Sequence, residues 1–74
     1  MMKLIEDPAT IAALREGQVI ATADGPGMKK FEIKSVAANG YIIAIHTGGS
    51  VEVKIIPQHR LLAGWWAERD PANL

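Results

Sequence analysis

Seventy-four residues, with eight Lys and Arg against eight Asp and Glu and no cysteine, describe one small domain of zero net charge. The charge balance argues against a domain built chiefly for nucleic acid or an acidic membrane surface. The missing cysteine excludes disulfides and thiolate metal sites. A core this small is marginal. His46 and His59 are too few for a structural zinc cage, and no cofactor is expected, so self-association becomes the leading way to stabilise the chain. No apolar run approaches the ~20 residues of a membrane-spanning helix. The amino-terminal "MMKLIEDPAT" lacks the apolar stretch of a signal peptide. A cytoplasmic protein without a membrane partner is expected.

The segment "EDPATIAALREG" predicts a short helix over about 8–16. Asp7 is a natural N-cap, Pro8 fits the first helical position and Gly17 is the expected stop. Ile11 and Leu14 share one face. Two turns are too short to persist alone, so this helix must lie on a sheet. The period then changes. "QVIATA" (18–23) predicts a first strand, and "DGPG" (24–27) a wide loop. "KKFEIKSV" (29–36) alternates, with Phe31 and Ile33 inward. Val36 breaks that parity, so a bulge near Lys34–Ser35 is needed to keep it inside. "ANGY" predicts a two-residue type I′ hairpin at Asn39-Gly40.

"YIIAIH" (41–46) is the third strand, and it is apolar on both faces. A two-residue Gly48-Gly49 turn would pair Ile42 with Ile55. A three-residue turn, Thr47 to Gly49, would pair Ile43 with Val53. A one-residue slip exchanges the two faces. The fourth strand is "SVEVKII" (50–56), ended by Pro57, which cannot donate to a ladder. "PQHRLL" predicts a 3₁₀ turn with Leu61 or Leu62 inward. "GWWAE" (64–68) is a short closing strand, and 69–74 is a tail.

A short helix followed by strand, wide loop, strand, hairpin, strand, hairpin, strand, 3₁₀ turn and strand resembles the SH3-like small β-barrel. The resemblance covers about 17–68 and implies a mainly β, five-stranded barrel; that architecture hosts many unrelated functions. "GGSVEVKIIP" is also similar to the plasmid-borne type II dihydrofolate reductases, in which Gly49, Ser50 and Val51 match a Gly-Ser-Val. Glu52 stands where that family needs glutamine, no tyrosine follows, and two extra residues precede Pro57. Only Val51 carries over as a functional residue. What this resemblance implies is a precedent for small barrels that oligomerise through their sheet.

One face of strand three goes to the core. The other must meet the helix or a second copy, because a large bare apolar patch is uncommon on a soluble monomer. Ile42, Ile43, Ile45, Ile56 and Trp66 are therefore the candidate interface residues, and the expected function is a non-catalytic interaction module. It would form a homo-oligomer, dimer or tetramer, and bind a protein partner. The alternative is a nucleic-acid-binding barrel using Lys30, Lys34, Lys54, Arg60 and Trp65, with lysines on phosphates and a base stacked on indole. Against it, Glu32 and Glu52 interleave with the lysines as on a solvated sheet face. An enzyme with its site at an oligomer axis is the third reading. His46 lies near Ser50, but no carboxylate is placed by sequence to orient it as a base.

Overall fold

A computed structural model of the chain describes residues 2–48 and 52–68. The fold is mainly β, with six antiparallel strands: β1 (Met2–Leu4), β2 (Val19–Asp24), β3 (Gly27–Val36), β4 (Tyr41–His46), β5 (Val53–Pro57) and β6 (Trp65–Glu68). Their order in the sheet is β1-β6-β2-β3-β4-β5. The sheet does not close, since β1 and β5 are its two edges. A sixth strand was not expected. β1 forms because Met2–Leu4 pairs along β6 and Ile5, immediately after it, is buried in the core.

The helix α1 spans only Pro8–Ala12. Its start follows the sequence: the Asp7 carboxylate accepts the Thr10 N–H at 2.8 Å and the Thr10 hydroxyl at 3.0 Å. Its end comes earlier than the expected residue 16. The Ala13 N–H is shared between the carbonyls of Ala9 and Thr10, and the Leu14 N–H bonds Ile11 three residues back. That tightening closes the helix and leaves Ile11 and Leu14 both buried. Gly17 lies beyond it, donating its N–H to the Ile33 carbonyl at the entry to β2.

Three turns depart from expectation. The "DGPG" segment is a tight hairpin rather than a wide loop, because pairing runs to Asp24 opposite Gly27. Gly25 has φ +62°, and Pro26 cannot take a positive φ, so the turn belongs to the II′ class that suits twisted strands. At Asn39-Gly40 no non-glycine residue has positive φ, which a type I′ turn would require of Asn39. Instead the Gly40 N–H bonds the Ala37 carbonyl and the Ala37 N–H bonds the Tyr41 carbonyl, a three-residue loop with Gly40 at φ +89°. Gly40→Ala is therefore expected to cost about 1–2 kcal/mol, the steric penalty of a left-handed residue bearing a Cβ. Urea unfolding checks it: an unchanged midpoint would contradict the turn assignment.

The third departure decides the faces. Ile42 pairs with Ile56, Ile43 with Ile55 and Ile45 with Val53. This is neither of the two registers expected from the Gly-Gly turn. The ladder ends with the His46 N–H on the Glu52 carbonyl, so the connection spans 47–51. Ser50 and Val51, expected in the fourth strand, lie outside the described residues with Gly49, and so does the tail 69–74. β5 ends at Pro57 as expected, with the proline itself as its last residue. It sits opposite Tyr41 at a position whose N–H would point away from β4, so the ladder loses nothing there.

The bulge is present, with register shifting between Ile33 and Ser35. Val36 regains core-side parity opposite Ile42, but at the end of the strand it stays exposed. The core gathers Ile20, Phe31, Ile33, Ile42, Ala44, Ile56, Trp65 and Ala67 from the sheet. Ile5, Ile11 and Leu14 from the amino-terminal segment and Leu61 from the 3₁₀ turn Gln58–Leu62 complete it. Leu62 points outward. The helix thus joins the same core that Ile42 and Ala44 enter; it does not cover the other side of β4.

Candidate functional site

Alternation along β4 and β5 gives each strand an inner and an outer set. The inner set is Ile42 and Ala44 with Ile56. The outer set is Tyr41, Ile43 and Ile45 with Val53 and Ile55, joined as cross-strand pairs. Within the chain this outer set is poorly covered. Ile55 is 66% exposed, Val53 55% and Tyr41 42%, while Ile43 and Ile45 are half-buried. Beside it on β3 stand Ser35, opposite Ile43, and Glu32, opposite Ile45. Glu32 forms an ion pair with Lys34 at 3.2 Å.

Of the expected interface residues, Ile43 and Ile45 lie on this patch. Ile42 and Ile56 fill the chain's own core, because the observed register turns both inward. Trp66 lies on the outer side of β6, in a row with Leu4 and Ala21 and three strands away from β4. Ala21, flanked by Trp66 and Lys30, is fully buried on that side, which marks Trp66 as partly occupied in covering the sheet. Tyr41, Val53 and Ile55 were missed as surface candidates. Their exposure depends on the length of the 47–51 connection, which a Gly-Gly pair does not fix.

The residues expected to touch nucleic acid are divided. Lys30 is on the outer side of β3 beside Ala21, and Lys34 is held by Glu32. Trp65 packs in the core with its ring centroid 5.9 Å from that of Phe31. Lys54 and Arg60, with Ile55, Ile56, Pro57 and Trp65, line an open cleft of about 370 Å³.

At the inner mouth of the sheet, Glu52 is the hub of a small ionic cluster. Its carboxylate meets Lys29 at 2.5 Å and Lys54 at 3.9 Å. The Lys54 ammonium lies 6.0 Å from the Phe31 ring centroid, and His46 meets that ring edge-on at 5.5 Å. The hydrogen bond from Lys29 holds the Glu52 carboxyl below its ordinary value, with the Lys29, Lys54 and His46 charges acting the same way against partial desolvation. A depressed folded-state pKa contributes stability above the ordinary glutamate value of about 4.3, lost as pH falls below it. Asp7, lowered chiefly by its hydrogen bond from the Thr10 backbone, acts in the same direction. Glu52→Gln is therefore expected to lower the urea midpoint at pH 7 and to converge with the parent chain as pH falls through the range in which Glu52 takes up its proton. A gap that stays constant over that range would contradict the assignment.

Among the described residues no three His, Asp or Glu gather as a metal ion would require, and no helix is long and apolar enough to cross a membrane. Comparison with protein-family models, with curated proteins and with solved structures found no match to this chain.

Proposed function

We propose that this chain is a small β interaction module that self-associates through the outer face of β4 and β5. The observation that carries the reading is the exposed pairing of Ile43 with Ile55 and of Ile45 with Val53, extended by Tyr41. Removing these side chains from water stabilises an assembly by roughly 25 cal/mol per Å² of apolar surface buried, before the cost of association. A second copy is the occupant that fits best. The border of the patch on β3 carries the internally paired Glu32 and Lys34, so it presents no net charge to repel a second copy. A domain of this size also gains most from such a partner. The architecture in this reading is an open SH3-like barrel, supported by β6 returning after the 3₁₀ turn to pair with β2.

Methyl and amide NMR spectra recorded on dilution test the location. Shifts are expected to concentrate at Tyr41, Ile43, Ile45, Val53 and Ile55. Concentration-dependent shifts confined to the Trp66 side would place the interface elsewhere and overturn the reading.

A further inference from the structure

The hydrogen-bonding phase of β5 fixes which of its backbone groups are engaged. The His46 N–H bonds the Glu52 carbonyl, and the Gln58 N–H bonds the Gly40 carbonyl. Both bonds fall on the same parity, so Lys54 and Ile56 direct their backbone groups toward β4. Val53 and Ile55 direct theirs the other way, and β5 is a terminal strand. This edge therefore presents two donors and two acceptors in strand geometry, followed by the Pro57 carbonyl.

The cleft lies on that side. It is lined by β5 residues, by Arg60 of the 3₁₀ turn and by Trp65 at the start of β6, so it lies where that turn carries the chain from β5 to β6. Its walls are Ile55, Ile56, Pro57 and Trp65. Its charges are Lys54 and Arg60, and among the described residues no carboxylate lines it. Arg60 makes no ion pair with a described residue, and the one Lys54 makes, to Glu52, is long at 3.9 Å. The volume of about 370 Å³ is at the lower end of ligand sites and admits a large side chain with a neighbouring carboxylate.

We propose that the β5 edge binds an extended acidic peptide segment of a partner protein. Its main chain adds as a strand along Val53 and Ile55, an apolar side chain enters the cleft against Trp65, and its carboxylates sit beside Lys54 and Arg60. Strand addition supplies affinity through the backbone and leaves specificity to such pockets. The inference rests on the reading of the chain as an interaction module, and it uses a different surface from the self-association patch except at Val53 and Ile55.

The test uses three end-blocked fluorescent peptides on the full chain at low salt. One is TETFTET, in which both glutamates share the phenylalanine's face of the strand, the second replaces both glutamates by lysine, and the third is the first with alternate backbone amides N-methylated. The glutamate peptide is expected to bind at least about tenfold more tightly than the lysine peptide, because the cations of the cleft favour one sign. The N-methylated peptide is expected to lose binding. The double variant Lys54→Glu, Arg60→Glu, both at exposed positions, should reverse the charge preference while keeping the parent circular dichroism. Equal binding of the three peptides, or no binding at millimolar peptide, would overturn the proposal. Light scattering on the same samples separates the two readings: a monomer that binds the glutamate peptide defeats only self-association, and an oligomer that binds none defeats only the peptide site.

Discussion

Phe31→Ala is expected to leave the domain mostly unfolded or close to it at room temperature. Phe31 has no exposed surface and sits on β3, near the middle of the sheet order. Its ring meets His46, Trp65 and the Lys54 ammonium. Truncating a buried phenylalanine costs about 3–5 kcal/mol, since the surrounding atoms only partly fill the space left behind. A 74-residue chain has roughly 4–11 kcal/mol in total at the usual stability per residue. The loss is thus a large share of the whole. Phe31→Leu, which keeps most of the volume, should retain a cooperative transition at a lower midpoint. Thermal and urea unfolding followed by circular dichroism check both. A Phe31→Ala chain with the parent midpoint would show that the core is not centred where the structure places it.

Ile55→Glu is expected to act on assembly and leave the fold of the single chain intact. Ile55 is the most exposed large apolar side chain described, so a carboxylate there stays solvated in the monomer. In the proposed dimer the same carboxylate is buried without a partner, at a cost of several kcal/mol. The parent chain should show an unfolding temperature that rises with protein concentration, as mass action requires of an associating fold. The variant should show one that does not. A parent chain whose transition is independent of concentration would mean that the patch has no occupant from a second copy.

The sequence carried the strands well because alternation survives in it: Phe31 and Ile33 against Glu32 and Lys34 is a pattern few other arrangements tolerate. The cap at Asp7-Pro8, the bulge at Lys34 and the inward leucine of the 3₁₀ turn were legible for similarly local reasons. The helix end and the turns were not. A glycine signals a turn without fixing how many residues it contains, and Asn39-Gly40 serves a three-residue loop as readily as a two-residue one. The amino-terminal strand Met2–Leu4 has no alternating pattern long enough to see, and exists because β6 has an open edge for it.

The widest ambiguity in the sequence was β4 itself, since Ile42, Ile43 and Ile45 fit either face. Only the connection 47–51 selects, through the bond from the His46 N–H to Glu52. The candidate site inherits that ambiguity. Ile43 and Ile45 lie on the outer face, Ile42 and Ile56 belong to the core, and the most exposed members, Ile55 and Val53, emerge from the register alone. The cleft was beyond reach, because it joins Lys54 of β5 to Trp65 of β6, two strands that do not pair.

Sedimentation equilibrium of the parent chain, from low micromolar to several hundred micromolar, tests the central claim most directly. The mass is expected to rise above that of one chain and to fit a closed dimer or tetramer, with Ile55→Glu holding the single-chain mass throughout. A parent chain that stays at the mass of one copy across the whole range would contradict self-association through the outer face of β4 and β5.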